Sequence, residues 1–285
     1  FPKEFMVAVI NNFGGFYRTE FYVHEARMAG ANIRHPDINL SKTLTCIKGN
    51  DIYLGFIHLK SLERKTVKNL LRERETGGVY LSFGDFIDRT SISLEQVLIL
   101  IRARAFDAFD SNKKQLIVKA NLLLQRRQVP AGDYPSPPEL FTFPRKKWEL
   151  PVLHHHPIED AYDDIELIGF SLTNPFDLLI DNIEDRVKAR DLESYHRKTV
   201  IIYGYLVTIK NTVTIKKDRM QFGTFLDSEG YFFDTIHFPN SVKRYPFRGR
   251  GVYRIKGKVS SDFGFYSIEV ITIRKMPILP DPRYD

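Results

Sequence analysis

Cysteine occurs once in the 285 residues, at Cys46. An internal disulfide is therefore excluded, and a reducing, cytoplasmic setting is expected. No apolar run approaches the roughly 20 residues that cross a bilayer, so no membrane partner is expected. No signal peptide opens the chain. It starts at Phe1 rather than at methionine, which predicts a piece excised from a longer protein. A Gly-rich phosphate loop, a reactive-cysteine setting and a Ser–His–Asp arrangement are also missing. The sequence reads as catalytically empty, so binding is the expected role.

What is present is enough apolar residue for real cores, 43%, spread over a length that predicts about two domains. Charge is distributed in blocks. Residues 1–128 carry a net +7, residues 129–197 a net −7, and residues 198–276 a net +8. Two basic blocks around an acidic connector point to two modules that face polyanions.

The second basic block, Lys198–Met276, reads as five β-runs of β-branched and aromatic residues separated by turn residues. Asp227-Ser228-Glu229-Gly230 is its clearest hairpin, with Gly230 free to take a positive φ. Five strands with glycines at 204, 223, 249, 251 and 257 predict a small closed barrel of the OB type. Such barrels are common platforms for single-stranded nucleic acid. Lys210, Lys216, Lys217, Arg219, Lys243, Arg244, Arg248 and Arg250 are candidates to track phosphates. Tyr205, Phe225, Phe232 and Tyr253 are candidate stacking faces, of which about half must fill the barrel because side chains alternate along a strand.

The first block is helical. Apolar spacing predicts two helices within residues 2–30, broken at Asn11–Gly15, followed by a turn at His35–Ser41 and short β-runs at Thr43–Ile47 and Asp51–Leu54. Helices are expected at Arg64–Arg74, around Phe83–Ile87, from Ser93 as N-cap, and at Asn112–Arg127. Leu59–Glu63 before Arg64 forms a candidate hairpin at a helix N-terminus, where unpaired N–H groups can hold a phosphate, with Lys60, Ser61, Arg64 and Lys65 at hand. Arg102 and Arg104 occupy a second candidate hairpin, or else complement the negative end of their own helix. Prolines from Pro130 to Pro157 predict an extended linker. Beyond it, Ile158–Ile168 reads as an acidic helix with a solvated face. His154-His155-His156 lacks the spacing that converges ligands on one metal, although a metal-dependent hydrolase built on His154–Glu166 is the competing enzyme reading. An RNA-binding OB protein of the anticodon-binding type is the competing binding-module reading.

These segments, in order, resemble the bacterial DNA polymerase III alpha subunit. Pro36-Asp37-Ile38-Asn39-Leu40-Ser41 is similar to its Pro-Asp-Ile/Val-Asn-x-Ser segment, and Leu54–Lys60 to its Leu-Gly-Leu-x-x-Ile-Lys run. Phe83-Gly84-Asp85-Phe86 with Arg89, Leu100–Asp107 and Glu166–Phe170 match three further runs. The resemblance implies an α+β multidomain fragment. Its order is the end of the fingers (1–50), helix-hairpin-helix elements (51–128), a linker (129–157), an acidic connector (158–197), an OB domain (198–276) and a tail (277–285). It also implies a parent DNA-directed DNA polymerase whose magnesium-binding palm lies outside this chain, so this fragment needs no cofactor and is expected to be inactive alone. The implied partners are duplex and single-stranded DNA, the sliding clamp and other replisome subunits. Pro137-Pro138-Glu139-Leu140-Phe141 resembles the clamp-binding Gln-x-x-Leu/Met-Phe peptide, so Leu140 and Phe141 are the implied clamp anchors. Two departures stand out. Ser61 and Glu63 replace glycines of the first hairpin, and Arg104 replaces the glycine of the second, which predicts a less close approach to phosphate.

Overall fold

A computed structural model describes residues 1–125, 153–184 and 186–284. The chain forms two compact units. The first comprises Phe1–Phe13, Ala29–Ser171 and Pro282–Asp285, and the second comprises Gly14–Met28 and Leu172–Asp281. Together they give the α+β, multidomain architecture expected from the sequence, with a helical hairpin region and a five-stranded barrel.

The first unit begins with α1 (Pro2–Asn11), whose last residue pairs both ways with the backbone of Thr45. Strands β1 (Asn32–Arg34), β2 (Cys46–Lys48) and β3 (Asp51–Tyr53) form a small mixed sheet in the order β1-β3-β2. Helices α3 (Arg64–Gly77), α4 (Phe83–Arg89), α5 (Leu94–Arg102) and α6 (Lys113–Gln125) then pack on one core. Phe83, Phe86 and Phe106 meet edge to face at 5.0 Å in its centre, a geometry that adds to simple burial. Ser82 and Ser93 cap α4 and α5 through their hydroxyls, satisfying N–H groups that the helices leave open.

The polar residues of the family-like segments act as staples here. Asp37 accepts from Asn39 N and Leu40 N, and Ser41 bonds Leu54 O. Asn39 pairs with both backbone groups of Tyr80. Arg89 donates to Glu73 O and Gly78 O at the end of α3 while lying 4.5 Å over the Tyr80 ring. At Gly55 an added Cβ would come within 2.5 Å of the backbone of Thr43 and Leu44, so only glycine fits between those segments.

In the second unit β4 (Thr199–Val213), β5 (Arg219–Leu226), β6 (Phe232–His237), β7 (Val252–Asp262) and β8 (Phe265–Lys275) close into a barrel ordered β4-β5-β6-β8-β7. The β6–β8 pairing is parallel and the others are antiparallel. Helix α8 (Pro239–Arg244) joins β6 to β7. This is the OB arrangement. The β5–β6 turn is the one expected, with Gly230 at φ 90° and the Asp227 carboxylate accepting from Glu229 N and Tyr231 N. Residues 14–28, which the sequence groups with the first helical block, belong to this unit. Helix α2 (Thr19–Met28) places Phe21 against Val207 and Leu226, and Arg18 donates to Val207 O at 3.3 Å.

Candidate nucleic-acid interface

The first hairpin runs from a 3-10 turn at Phe56–His58 through Leu59–Glu63 into α3. Ser61, which the sequence resemblance sets in place of a glycine, takes φ 63°, a left-handed conformation that costs an L-residue about 1–2 kcal/mol. Gln96 holds it there. Its side chain accepts from Glu63 N at 2.7 Å and donates to Ser61 O at 3.1 Å, and it is itself buried. Lys60 N donates to Leu167 O at 2.8 Å, fixing the hairpin's near side. Lys60, Ser61, Arg64 and Lys65 are all exposed. Among the described residues, none of these three cations is within ion-pair distance of a carboxylate, and no side chain caps the α3 N-terminus. The sequence reading missed Lys68 and Arg72. Both are exposed and stand at i+4 and i+8 from Arg64, which the helical period could have revealed. The result is a basic stripe running along α3 from an open helix N-terminus.

The second hairpin has the expected shape and a different electrostatic fate. Arg104, likewise read from the resemblance as standing in for a glycine, also sits at φ 63°. However, Arg104 pairs with Asp107 at 2.7 Å and with Asp160 at 3.5 Å. Arg102 pairs with Asp163 at 2.7 Å and with Glu166. Burial pulls both guanidinium pKa values down, but the carboxylates outweigh it and hold them above the usual value. Burial likewise works against the charged forms of Asp160 and Glu166, whose pKa values their cations nevertheless hold low.

The acidic helix α7 (Ile158–Leu167) is therefore not the solvated face expected from its composition. Asp163 and Asp164 are buried, and Asp163 bridges Arg102, Lys113 and Arg283. Asp164 accepts from His35, and His155 is turned to Asp160. Its arginine and lysine partners, Arg102, Arg104, Lys113, Lys114 and Arg283, all lie far away in sequence.

On the barrel, Phe225 and Tyr253 are interior side chains. Tyr253 donates to Gly249 O and accepts from Arg248 N. Tyr205 is no stacking face either, because its hydroxyl donates to Glu20 of α2 at 2.6 Å. Burial and the neighbouring carboxylate push the Tyr205 pKa up, and burial also raises that of Glu20. Of the four aromatic candidates only Phe232 is exposed. Lys210, Lys216, Lys217 and Arg219 are exposed along and between β4 and β5, and Lys243, Arg244 and Arg248 along and beyond α8.

Among the exposed barrel aromatics that escaped the sequence reading are Phe222, Phe263 and Phe265. Phe222 is opposite Lys210 in the β4–β5 register and next to Ile236 of β6. Phe263 and Phe265, 94% and 80% exposed, tip the β7–β8 turn. Phe222 and Phe225 are three apart on one strand, so only one can face inward. Leu140 and Phe141 lie outside the described residues.

Residues 30–116 match a family model described as a helix-hairpin-helix motif. The DNA polymerase III subunit alpha of Borreliella burgdorferi is 26% identical over 266 residues, covering 86% of this chain and 23% of that protein. The same subunit of Treponema pallidum is 26% identical over 84% of this chain and 22% of its own length, and that of Aquifex aeolicus 25% identical over 84% and 20%. The chain thus spans about a fifth of the length of the curated relatives it matches.

Proposed function

We infer that this chain, which is homologous to the DNA polymerase III alpha subunits, is a DNA-binding segment of such a polymerase. The observation that carries the reading is the basic stripe of Lys60, Arg64 and Lys65, extended by Lys68 and Arg72, at the open N-terminus of α3 inside the region matched by the helix-hairpin-helix family model. Unpaired helix N–H groups and unneutralised cations suit a phosphate backbone without reading its sequence. In this reading the first hairpin grips duplex product. The second hairpin serves mainly as scaffold, because the charges of Arg102 and Arg104 are already neutralised by carboxylates, most of them on α7.

The barrel takes the single-stranded template. Lys210 and Phe222, paired across β4 and β5, offer one phosphate contact beside one stacking face. Lys216, Lys217 and Arg219 extend the positive field along the turn that follows β4. The parent protein is proposed to be a DNA-directed DNA polymerase whose magnesium-binding aspartates lie outside these residues. Leu140 and Phe141 are proposed to dock the sliding clamp, a reading that rests on their sequence alone.

Two measurements test this function. Fluorescence anisotropy with duplex DNA, single-stranded DNA and single-stranded RNA across a salt series should show both DNA forms binding, with affinity falling steeply as salt rises. A clear preference for RNA would instead favour a barrel of the anticodon-binding type. For the clamp, the full chain should be retained in a pull-down, whereas the Leu140→Ala, Phe141→Ala variant should wash through. Equal retention of the two would remove these residues from the clamp interface.

A further inference from the structure

One group of barrel cations is explained neither by the β4–β5 surface nor by any ion pair. Arg254 of β7 and Arg274 of β8 stand directly opposite each other in the antiparallel register. Like charges in that relation destabilise a sheet. Among the described residues neither is within ion-pair distance of a carboxylate. Both line an open cleft of about 810 Å³ together with Arg244, Arg248 and Lys275. Among the described residues no Asp or Glu lines it, and Lys275 donates to Arg248 O at 3.2 Å, fixing one wall. Neither β7 nor β8 borders β5 in the barrel, so the cleft is separate from the face around Phe222.

The row continues beyond the cleft. Lys256 follows Arg254 at the next alternate position of β7, on the same outward face, and is exposed; Lys258, one step further, stands opposite Glu269 of β8. Alternate residues of a strand are about 6.6 Å apart, roughly the spacing of successive phosphates in an extended single strand. Sheet-destabilising repulsion without a compensating carboxylate, in a cleft lined with guanidinium groups, fits an oxyanion ligand. Its linear continuation fits a polymer of such groups. The closed barrel offers no free edge on which an extended peptide could add as a strand, which favours nucleic acid over an acidic peptide.

We propose that the outer face of β7 and β8, from the Arg244–Arg274 cleft to Lys256, is a second phosphate track that holds the backbone of single-stranded nucleic acid. This rests on the reading of the chain as a DNA-binding segment. The test uses the full chain, a labelled oligothymidylate and a salt series, comparing the wild type with Arg254→Gln, Arg274→Gln. Removing two phosphate-holding cations should reduce the steepness of log K against log salt by about 1.4. The ligand-free variant should melt no lower than the wild type, and by relief of the repulsion about one to a few degrees higher.

A variant slope equal to that of a wild type that does bind overturns the second track and leaves the DNA-binding reading intact. A wild type that fails to bind overturns both. Polyglutamate binding the wild type as tightly as the oligonucleotide, and failing to bind the variant, would reassign the cleft to an acidic protein partner and overturn the proposal.

Discussion

Asp163→Asn is expected to destabilise the helical unit by about 3 kcal/mol, and Glu166→Gln, one turn further along α7, by less than about 1 kcal/mol. Asp163 is buried and serves three cations at once. Arg102 and Arg283 reach its Oδ1 at 2.7 and 2.6 Å, and Lys113, itself buried, reaches Oδ2. Neutralising Asp163 leaves Lys113 desolvated with Asp160 as its remaining carboxylate. A buried charge deprived of a partner costs far more than the intact pair gains. Glu166 binds two of the same arginines but is 41% exposed in its side chain, so water can replace it. Urea midpoints of the two variants decide the matter. Equal destabilisation would mean that α7 is held by its apolar residues, with the charge network adding nothing.

The barrel unit should become less stable by about 3 kcal/mol as pH falls from 6.5 to 4, through His237 alone. This side chain is fully buried, and its Nε2 donates to Thr235 Oγ1 at 2.9 Å, because that hydroxyl already gives its proton to Gly223 O. Nδ1 is buried and, among the described residues, has no partner. A second proton would create a buried donor with nothing to accept it, and burial lowers the pKa from 6.5 to about 4. Between those values the unfolded chain binds the proton and the folded chain does not. Stability is therefore complete above pH 6.5 and declines below it, at about 1.4 kcal/mol per unit. The measurement is the difference in stability between the wild type and His237→Gln at each pH. That difference should shift by about 3 kcal/mol across the window, and a constant difference would show that His237 titrates normally.

Much of the fold was legible because its signals are local. The five β-runs, the Asp227–Gly230 turn, the Ser93 cap and both hairpins follow from composition over a few residues, and the family-like segments fixed their order. What was not legible depends on distant partners. Asp163 looks solvated in sequence because Arg102, Lys113 and Arg283 are 61, 50 and 120 positions away. Strand β1 has only three residues and becomes a strand by pairing with β3. The faces of the barrel aromatics were obscured by the register shift between Leu206 and Thr208, which unsettles the alternation just beyond Tyr205. Ser61 and Arg104, singled out as standing where glycine is expected, both take the left-handed backbone that glycine favours, with Gln96 restraining the first.

The central claim is that duplex DNA meets the first hairpin while the charge of the second is neutralised internally. The most direct test is the salt dependence of duplex binding for two variants, each checked for folding by circular dichroism. Lys60→Ala, Arg64→Ala, Lys65→Ala should lower the slope of log K against log salt by about 2.7, at about 0.9 for each phosphate no longer neutralised. Arg102→Gln should leave it unchanged. A slope that falls in Arg102→Gln and holds in the triple variant would contradict the account and move the duplex to the second hairpin.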